Sequence, residues 1–217
     1  MAPPFVVLVP VKPPARGKSR LAGLPGDLRE RLAGAFVRDT VDAVRSADRV
    51  AEVMVVTDDH RLAGALRTVG CEVLPDGVSG DLNASLVQAA AECARRWPGL
   101  AVAAVCADLP ALRGTDLDAA LAQVPDEGAM FVADADGTGT TVYAAASAAV
   151  FAPSFGTGSA AAHRDAGARE VVGDLPSLRR DVDDAGDLGA ALLLGVGAHT
   201  ATITGALPND GRGARTT

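Results

Sequence analysis

Short apolar runs rich in β-branched residues alternate along this chain with longer segments in which apolar residues recur at helical spacing. Residues 5–11 and 50–58 are runs of the first kind, and residues 27–46 and 82–97 are segments of the second kind. Strands that alternate with helices form a largely parallel sheet with helices on both faces. The sequence therefore predicts an α/β, Rossmann-like fold with a mostly parallel central sheet.

The same alternation continues towards the C-terminal part of the chain. The other predicted elements are strands at 71–75, 100–108, 129–134 and 140–146 and helices at 60–69, 115–124, 159–166 and 183–194. Thr115 is the expected N-cap of its helix. We expect residues 1–197 to form one domain and residues 198–217, which contain "PNDGRGARTT", to form a flexible tail.

Composition and charge exclude several functions. The chain has 217 residues, a formal net charge of -7 and only 3% aromatic residues. Nucleic-acid-binding proteins are usually basic and offer aromatic side chains for stacking, so no nucleic-acid partner is expected. We also expect no signal peptide and no membrane contact, because no apolar run is long enough to span a bilayer. The three cysteines lack CxxC spacing and indicate ordinary thiols in a reducing cytoplasm.

The segment "VPVKPPARGKSRL" follows the first predicted strand and carries four cations, Lys12, Arg16, Lys18 and Arg20. A Walker A loop would need a glycine five positions before Gly17, and that position is Lys12. The spacing therefore excludes a Walker A loop. Four cations match the roughly four negative charges of a nucleoside triphosphate, because lysine and arginine both bind phosphate. The spacing alone leaves a phosphate-binding loop and a solvated basic loop open.

Carboxylates occur at two points where a ligand site is expected. Asp108 ends an apolar predicted strand, where a carboxylate is costly unless it is paired, bound to a metal or placed at an open edge. A second group, Asp181, Asp183, Asp184 and Asp187, lies near the start of a predicted helix. The spacing favours helix capping for this group. One or two of its members could join Asp108 on Mg²⁺, which prefers carboxylate and phosphate oxygens.

Several polar or glycine-rich segments have both a structural and a functional interpretation. Residues 137–140 ("GTGT") fit a hairpin turn or an anion site built from amides and hydroxyls. Gly156 and Ser159 in "FGTGSAAAHR" fit a helix N-cap or a second anion site. Asn83 fits a capping residue or a contact with a base or ribose. His163 is expected to pack or to face solvent and not to bind a metal.

Taken together in this order and spacing, the motifs resemble the guanylyltransferases of coenzyme F420 biosynthesis. The resemblance covers residues 5–197 and rests on "VPVKPPARGKSRL", "VVTDD", "DLNASL", "ADLPAL", "DGTGTT", "FGTGSAAAHR" and "RRDVDDAGDL". It implies a nucleotidyltransferase fold and a reaction in which phosphoenolpyruvate and GTP give enolpyruvoyl-2-diphospho-5′-guanosine and pyrophosphate. The related enzymes that use 2-phospho-L-lactate are the nearest alternative, and a non-catalytic scaffold with a degenerate site is another.

The resemblance also implies roles for individual residues. Asp108 and Asp181 would hold Mg²⁺, with Asp183 as a further candidate. The residues implied for phosphoenolpyruvate are Thr140, Gly156 and Ser159.

The basic loop then becomes a phosphate clamp in which Lys12, Lys18 and Arg20 assist catalysis. Lys18 and Asn83 would contact the nucleotide, although Asp81 stands where a glycine is expected. The implied partners are GTP, phosphoenolpyruvate and a downstream enzyme of the same pathway.

Overall fold

The structure is a computed structural model that describes residues 4–11, 24–78 and 80–205. These residues form a seven-stranded sheet with helices packed against it. The strands are β1 (Phe5–Pro10), β2 (Val50–Val56), β3 (Glu72–Leu74), β4 (Ala101–Val105), β5 (Ala129–Ala133), β6 (Thr140–Ala145) and β7 (Arg169–Glu170). The helices are α1 (Gly26–Arg45), α2 (His60–Thr68), α3 (Leu82–Arg96), α4 (Gly114–Leu121), α5 (Ser159–Asp165), α6 (Pro176–Arg179), α7 (Ala185–Leu194) and α8 (Ala198–Thr204), with a 3₁₀ turn at Ala148–Val150.

The order of the strands across the sheet is β3-β2-β1-β4-β6-β5-β7. All neighbouring strands within the described residues pair in parallel except at β6, which runs antiparallel to both β4 and β5. The predicted mostly parallel sheet is therefore confirmed.

The reversed direction of β6 determines which residues meet at the edge of the sheet. Val105 at the end of β4 pairs with Val142 near the start of β6. The loop after β4 therefore lies beside the beginning of β6, at the edge where β1 and β5 also end. Asp108 and Thr140 share this edge, although one follows its strand and the other begins one.

A β-bulge changes the direction of the side chains at the start of β6. Val132 pairs with Val142, whereas Ala133 pairs with Thr140, so Thr141 is the extra residue. The Thr141 hydroxyl donates to the carbonyl of Leu178 in α6, at 2.7 Å. Thr140 points to the opposite face, towards α5. A bulge commonly re-aims a side chain next to a functional site.

Hydrophobic cores lie on both faces of the sheet, which confirms the predicted helices on both sides. Val7 belongs to the core that contains residues of α1 and α4. The next residue, Leu8, belongs to the core that contains residues of α3 and α5, because successive side chains of a strand point to opposite faces. Both side chains are completely buried, and each such side chain contributes about 1.5–3 kcal/mol to stability.

The start of α4 differs from the prediction. The helix begins at Gly114 with Arg113 as its N-cap, so the predicted capping role of Thr115 is wrong. Gly114 packs so closely on the turn after α1 that a Cβ there would collide with the Ser46 hydroxyl. This tertiary contact, and not the local capping preference, determines where the helix begins.

The C-terminal region also differs from the expected tail. Residues 198–204 form α8, which packs against α1, and Thr200 and Ala201 are buried. Asp39 of α1 caps α8 from outside: its carboxylate accepts from the backbone N–H groups of His199 (2.9 Å) and Thr200 (2.8 Å). Residues 206–217 lie outside the described residues. Within the described ranges, no helix is long and apolar enough to cross a membrane.

Candidate active site

Three aspartates converge at the edge where β1, β4 and β5 end. Asp108, Asp181 and Asp183 each place one carboxylate oxygen so that the three oxygens lie within 4.8 Å of one another. All three side chains are half-buried. The sequence resemblance implied this set, and the structure brings its members together. We refer to these three residues as the acidic cluster.

Backbone contacts between distant segments build the acidic cluster. The N–H of Val182 donates to the carbonyl of Asp108 at 3.0 Å, so the loop after β4 and the loop before α7 run side by side. The N–H of Leu109 donates to the buried hydroxyl of Thr40 at 3.1 Å and fixes the first loop to α1. Val182 is fully buried in a core with α1 and α8 residues, which anchors the aspartates on either side of it.

The spacing favoured helix capping for the four aspartates before and in α7, and two of them, Asp184 and Asp187, have that role. Asp184 is the N-cap of α7 and accepts from the N–H groups of Gly186 and Asp187. Asp187 completes a capping box by accepting from the N–H of Asp184. The helix therefore begins at Ala185, two residues after the predicted start, and Asp181 and Asp183 belong to the acidic cluster.

The acidic cluster concentrates negative charge in a partly dry site. Burial, followed by the charges of Asp108, Asp183 and Asp134 in that order, raises the pKa of Asp181 to about 7. Three close carboxylates are a hard-oxygen donor set, which suits a divalent cation such as Mg²⁺ or Mn²⁺. A bound cation would offset the repulsion that raises this pKa.

A cleft of about 1140 Å³ lies next to the acidic cluster. Its lining includes Pro10 and Val11 from the end of β1, Leu82 from the start of α3, and Asp108 and Asp183. Residues of α1 and α8 also line it. Small-molecule sites typically occupy about 300–1,000 Å³, so the cleft has room for a nucleotide together with a second substrate.

The predicted basic clamp cannot be placed in the structure. Lys12, Lys18 and Arg20 lie outside the described residues. The chain enters this segment directly after Val11, which lines the cleft. Their roles stay predictions.

The glycine-threonine segment is a turn organised by Asp134. The Asp134 carboxylate accepts from the N–H groups of Thr138 (2.9 Å) and Gly139 (2.7 Å), and the Asp134 N–H donates to the Gly139 carbonyl. The hairpin-turn interpretation therefore holds, and these two amides are already used within the protein. Asp134 was not among the predicted site residues, although an aspartate at the start of a glycine-rich turn is a sequence signal for this arrangement.

The turn is joined to the loop before α5. The Ala160 N–H donates to the Thr138 carbonyl at 3.2 Å, and the Ser159 N–H donates to the Gly156 carbonyl at 3.1 Å. Gly156 has φ +143°, a conformation that side-chain-bearing residues rarely adopt. Ser159 is almost fully buried and is the first residue of α5, whose N-cap is Gly158. The predicted acceptor residues thus form one patch, together with Thr140.

Asn83 holds this patch to α3. Its side-chain amide donates to the Phe155 carbonyl at 3.0 Å, and its side-chain oxygen accepts from the Phe155 N–H at 2.8 Å. Asp81 is the N-cap of α3 and accepts from the Ala84 N–H. The capping alternative for Asn83 is therefore wrong, and its carboxamide is engaged with the loop before α5.

His163 is a completely buried residue of α5. Its ring stacks on Tyr143 with the centroids 4.6 Å apart, and it also contacts Phe131 and Phe155. The Thr140 hydroxyl lies 3.0 Å from Nδ1, and the Ser154 N–H donates to Nε2 at 2.8 Å. The expectation that His163 packs is confirmed. The hydrogen bond to Thr140 could not be inferred from its position in the sequence.

The free energy of unfolding should decrease as the pH falls from 6.5 to 4 because of His163. Burial lowers the pKa of His163 from 6.5 to about 4, so in this range the unfolded chain takes up a proton that the folded protein excludes. The stability that is present above pH 6.5 is then lost, by about 3 kcal/mol once the pH reaches 4. Urea unfolding at pH 7 and pH 5 should show a smaller loss for His163→Phe than for the wild type. Equal losses would contradict the assignment.

Comparison with known protein families identifies the family to which this chain belongs. The family model described as "Guanylyl transferase CofC like" matches residues 5–207. This chain belongs to the CofC-like guanylyl transferase family. A curated relative from Thermomonospora curvata, named phosphoenolpyruvate guanylyltransferase, is 47% identical over 211 residues, which cover 97% of this chain and 92% of the relative. The family resemblance inferred from the motifs is confirmed.

Solved structures agree with the fold of a CofC-like guanylyl transferase. A nucleotidyl transferase from Methanothermobacter is similar with a TM-score of 0.61 and 20% identity, covering 86% of this chain and 94% of the other. A Mycobacterium tuberculosis protein solved in complex with manganese is similar with a TM-score of 0.54 and 21% identity, covering 88% and 98% of the two chains. These similarities confirm the predicted nucleotidyltransferase fold.

Proposed function

We propose that this protein transfers GMP from GTP to phosphoenolpyruvate and releases pyrophosphate. The observation that carries the proposal is the acidic cluster at the edge of a nucleotidyltransferase sheet, in a chain 47% identical to a named phosphoenolpyruvate guanylyltransferase. The product is enolpyruvoyl-2-diphospho-5′-guanosine. The proposal includes a cytoplasmic location and a downstream enzyme that receives the product.

The chemistry needs alignment and charge neutralisation more than proton transfer. A phosphate oxygen of phosphoenolpyruvate forms a bond to the α-phosphorus of GTP, and the bond from that phosphorus to the pyrophosphate oxygen breaks. The attacking oxygen is already anionic, so no general base is required. The protein must hold two anions in line and offset the charge that grows on the leaving pyrophosphate.

The acidic cluster is the proposed Mg²⁺ site, with Asp108 and Asp181 as ligands and Asp183 beside them. Their carboxylate oxygens are close enough to share one cation. Burial and then the neighbouring carboxylates raise the pKa of Asp181, and a cation would offset both effects. A bound divalent cation would reduce the repulsion between the two substrates. A Mycobacterium tuberculosis protein with this fold was solved in complex with manganese, which is consistent with use of a divalent ion.

The nucleotide phosphates are assigned to the basic loop after β1. Lys12, Lys18 and Arg20 would neutralise the triphosphate, and Lys18 would also help to bind the nucleotide. Asn83 follows Leu82 at the start of α3, and Leu82 lines the cleft, so we place Asn83 on the side of the nucleotide. Because the Asn83 carboxamide is bonded to Phe155, we assign it a positioning role for the loop before α5.

The acceptor is assigned to the patch formed by Thr140, Gly156 and Ser159. Phosphoenolpyruvate carries a phosphate and a carboxylate, so its site needs more than one anion-binding group. The hydroxyls of Thr140 and Ser159 supply donors, and the exposed backbone at Gly156 has no Cβ to block an anion. Asp134, which shapes the turn before Thr140, also contributes to the raised pKa of Asp181, so the patch and the acidic cluster are close.

Ser159→Ala should raise the KM for phosphoenolpyruvate about 10-fold and leave the KM for GTP nearly unchanged, because one hydrogen bond to an anion is lost. Steady-state kinetics with each substrate varied in turn will measure both constants. Ser147→Ala is the matched control, since it makes the same chemical change just before the 3₁₀ turn. A rise in the KM for GTP would mean that Ser159 is on the nucleotide side.

The function itself can be tested by supplying GTP and Mg²⁺ with either phosphoenolpyruvate or 2-phospho-L-lactate. We expect pyrophosphate release with phosphoenolpyruvate and a product whose mass equals the acceptor plus GMP less one water. Mass spectrometry should follow immediately, in case the product is labile. Preferential use of phospholactate would replace the acceptor in the proposal, and release with neither would contradict it.

A further inference from the structure

The hydrogen bonds of His163 determine which of its ring nitrogens carries the proton. A backbone N–H can only donate, so the 2.8 Å contact from Ser154 requires a lone pair on Nε2. The ring is neutral near pH 7, because burial lowers its pKa to about 4. A neutral imidazole with a lone pair on Nε2 carries its hydrogen on Nδ1. His163 is therefore the Nδ1–H tautomer.

This tautomer fixes the role of the Thr140 hydroxyl. Nδ1–H must donate across the 3.0 Å contact, so Thr140 Oγ1 is the acceptor. The hydroxyl hydrogen of Thr140 is then directed to another group. Thr140 is 7% exposed and begins β6 at the edge where the acidic cluster lies, so a ligand there can receive this hydrogen.

We propose that His163 is a positioning residue that directs the hydrogen of the Thr140 hydroxyl towards an oxyanion of the acceptor substrate. The proposal rests on the proposed function, which puts the acceptor beside Thr140. A free threonine hydroxyl can rotate and either donate or accept. Here the ring, held among Phe131, Tyr143 and Phe155, occupies one lone pair of the hydroxyl, so the hydroxyl hydrogen points away from the ring and can be donated to a ligand. Such a donor favours a phosphate or carboxylate oxygen over a substrate group that would itself donate.

Two substitutions of His163 test the roles of its two ring nitrogens separately. Asparagine can place an amide N–H near the position of Nδ1, and glutamine can place a carbonyl oxygen near the position of Nε2. Both variants lose the aromatic ring, so each controls for the other. We expect His163→Gln to raise the KM for phosphoenolpyruvate about 10-fold with the KM for GTP unchanged, and His163→Asn to raise it much less.

A Thr140→Val background tests whether His163 acts through the hydroxyl. In that background His163→Gln should produce no further rise in the KM for phosphoenolpyruvate, because the hydroxyl that it positions is already absent. Effects that multiply would overturn the proposal, as would equal effects of His163→Asn and His163→Gln in the wild-type background. Either result would leave His163 as a space-filling residue.

The tautomer can be measured without any activity. Nitrogen NMR of protein labelled at histidine with ¹⁵N should show one Nδ1–H tautomer at pH 7, and His163→Asn should remove that signal. His60 and His199, the other two histidines, serve as internal references. An Nε2–H tautomer for His163 would overturn the proposal. An Nδ1–H tautomer in a protein that does not use phosphoenolpyruvate would contradict the proposed function and leave the hydrogen-bond assignment standing.

Discussion

Asp108→Asn should reduce turnover at least ~100-fold while the protein stays folded. Asparagine keeps the shape of the side chain, so the backbone bond from Val182 to the Asp108 carbonyl can persist. It removes one of the three carboxylates whose oxygens converge within 4.8 Å. Turnover with GTP and phosphoenolpyruvate, measured over a series of Mg²⁺ concentrations, should show both a lower maximum and a higher metal requirement.

The control for this substitution is Asp126→Asn, which removes the same charge from an exposed loop. Its turnover should equal that of the wild type. Binding of Mn²⁺, followed by electron paramagnetic resonance, supplies a readout that does not depend on substrates and should weaken only in Asp108→Asn. Near-normal turnover and Mn²⁺ binding by a folded Asp108→Asn protein would remove Asp108 from the metal site.

The second large effect concerns stability. Asp39→Ala should lower the free energy of unfolding by about 2–3 kcal/mol, because the N–H groups of His199 and Thr200 lose a charged acceptor and one of them is fully buried. Gly197→Ser should also destabilise the protein, since a Cβ at Gly197 would collide with the Asp39 carboxylate. Urea unfolding at pH 7 will measure both losses.

The double substitution gives the sharper result. Removing the Asp39 side chain makes room for a Cβ at position 197, where φ -67° and ψ 170° suit a serine N-cap. Asp39→Ala with Gly197→Ser should therefore be more stable than either single variant. Additive losses would show that the collision and the external cap are independent, contrary to this structure.

The sequence could predict the features that depend on periodicity and on strand ends. Apolar alternation located the strands and the long helices, and the position of Asp108 after an apolar strand indicated the edge where ligands bind. The spacing of the aspartates before α7 could not separate ligands from caps. That distinction depends on the backbone pairing of Val182 with Asp108, which joins segments distant in the sequence.

The errors have the same physical origin. Thr115 is a good capping residue, but the packing of Gly114 against Ser46 decides where α4 begins. Residues 198–204 lack a cap of their own in the sequence, and the cap comes from Asp39 on another helix. Local preference could not reveal either partner, because each contact is made only in the folded chain.

The bulge in β6 has a consequence for how the proposed acceptor patch can change during evolution. Thr140 pairs with Ala133 and faces α5, whereas the extra residue, Thr141, faces α6 and bonds Leu178. Deletion of Thr141 would remove that bond and make the strand regular, but position 140 would stay opposite Ala133, on the side of His163. The contact that anchors the strand to α6 and the side chain that faces α5 are therefore encoded at separate positions. Either position can drift while the other is held constant.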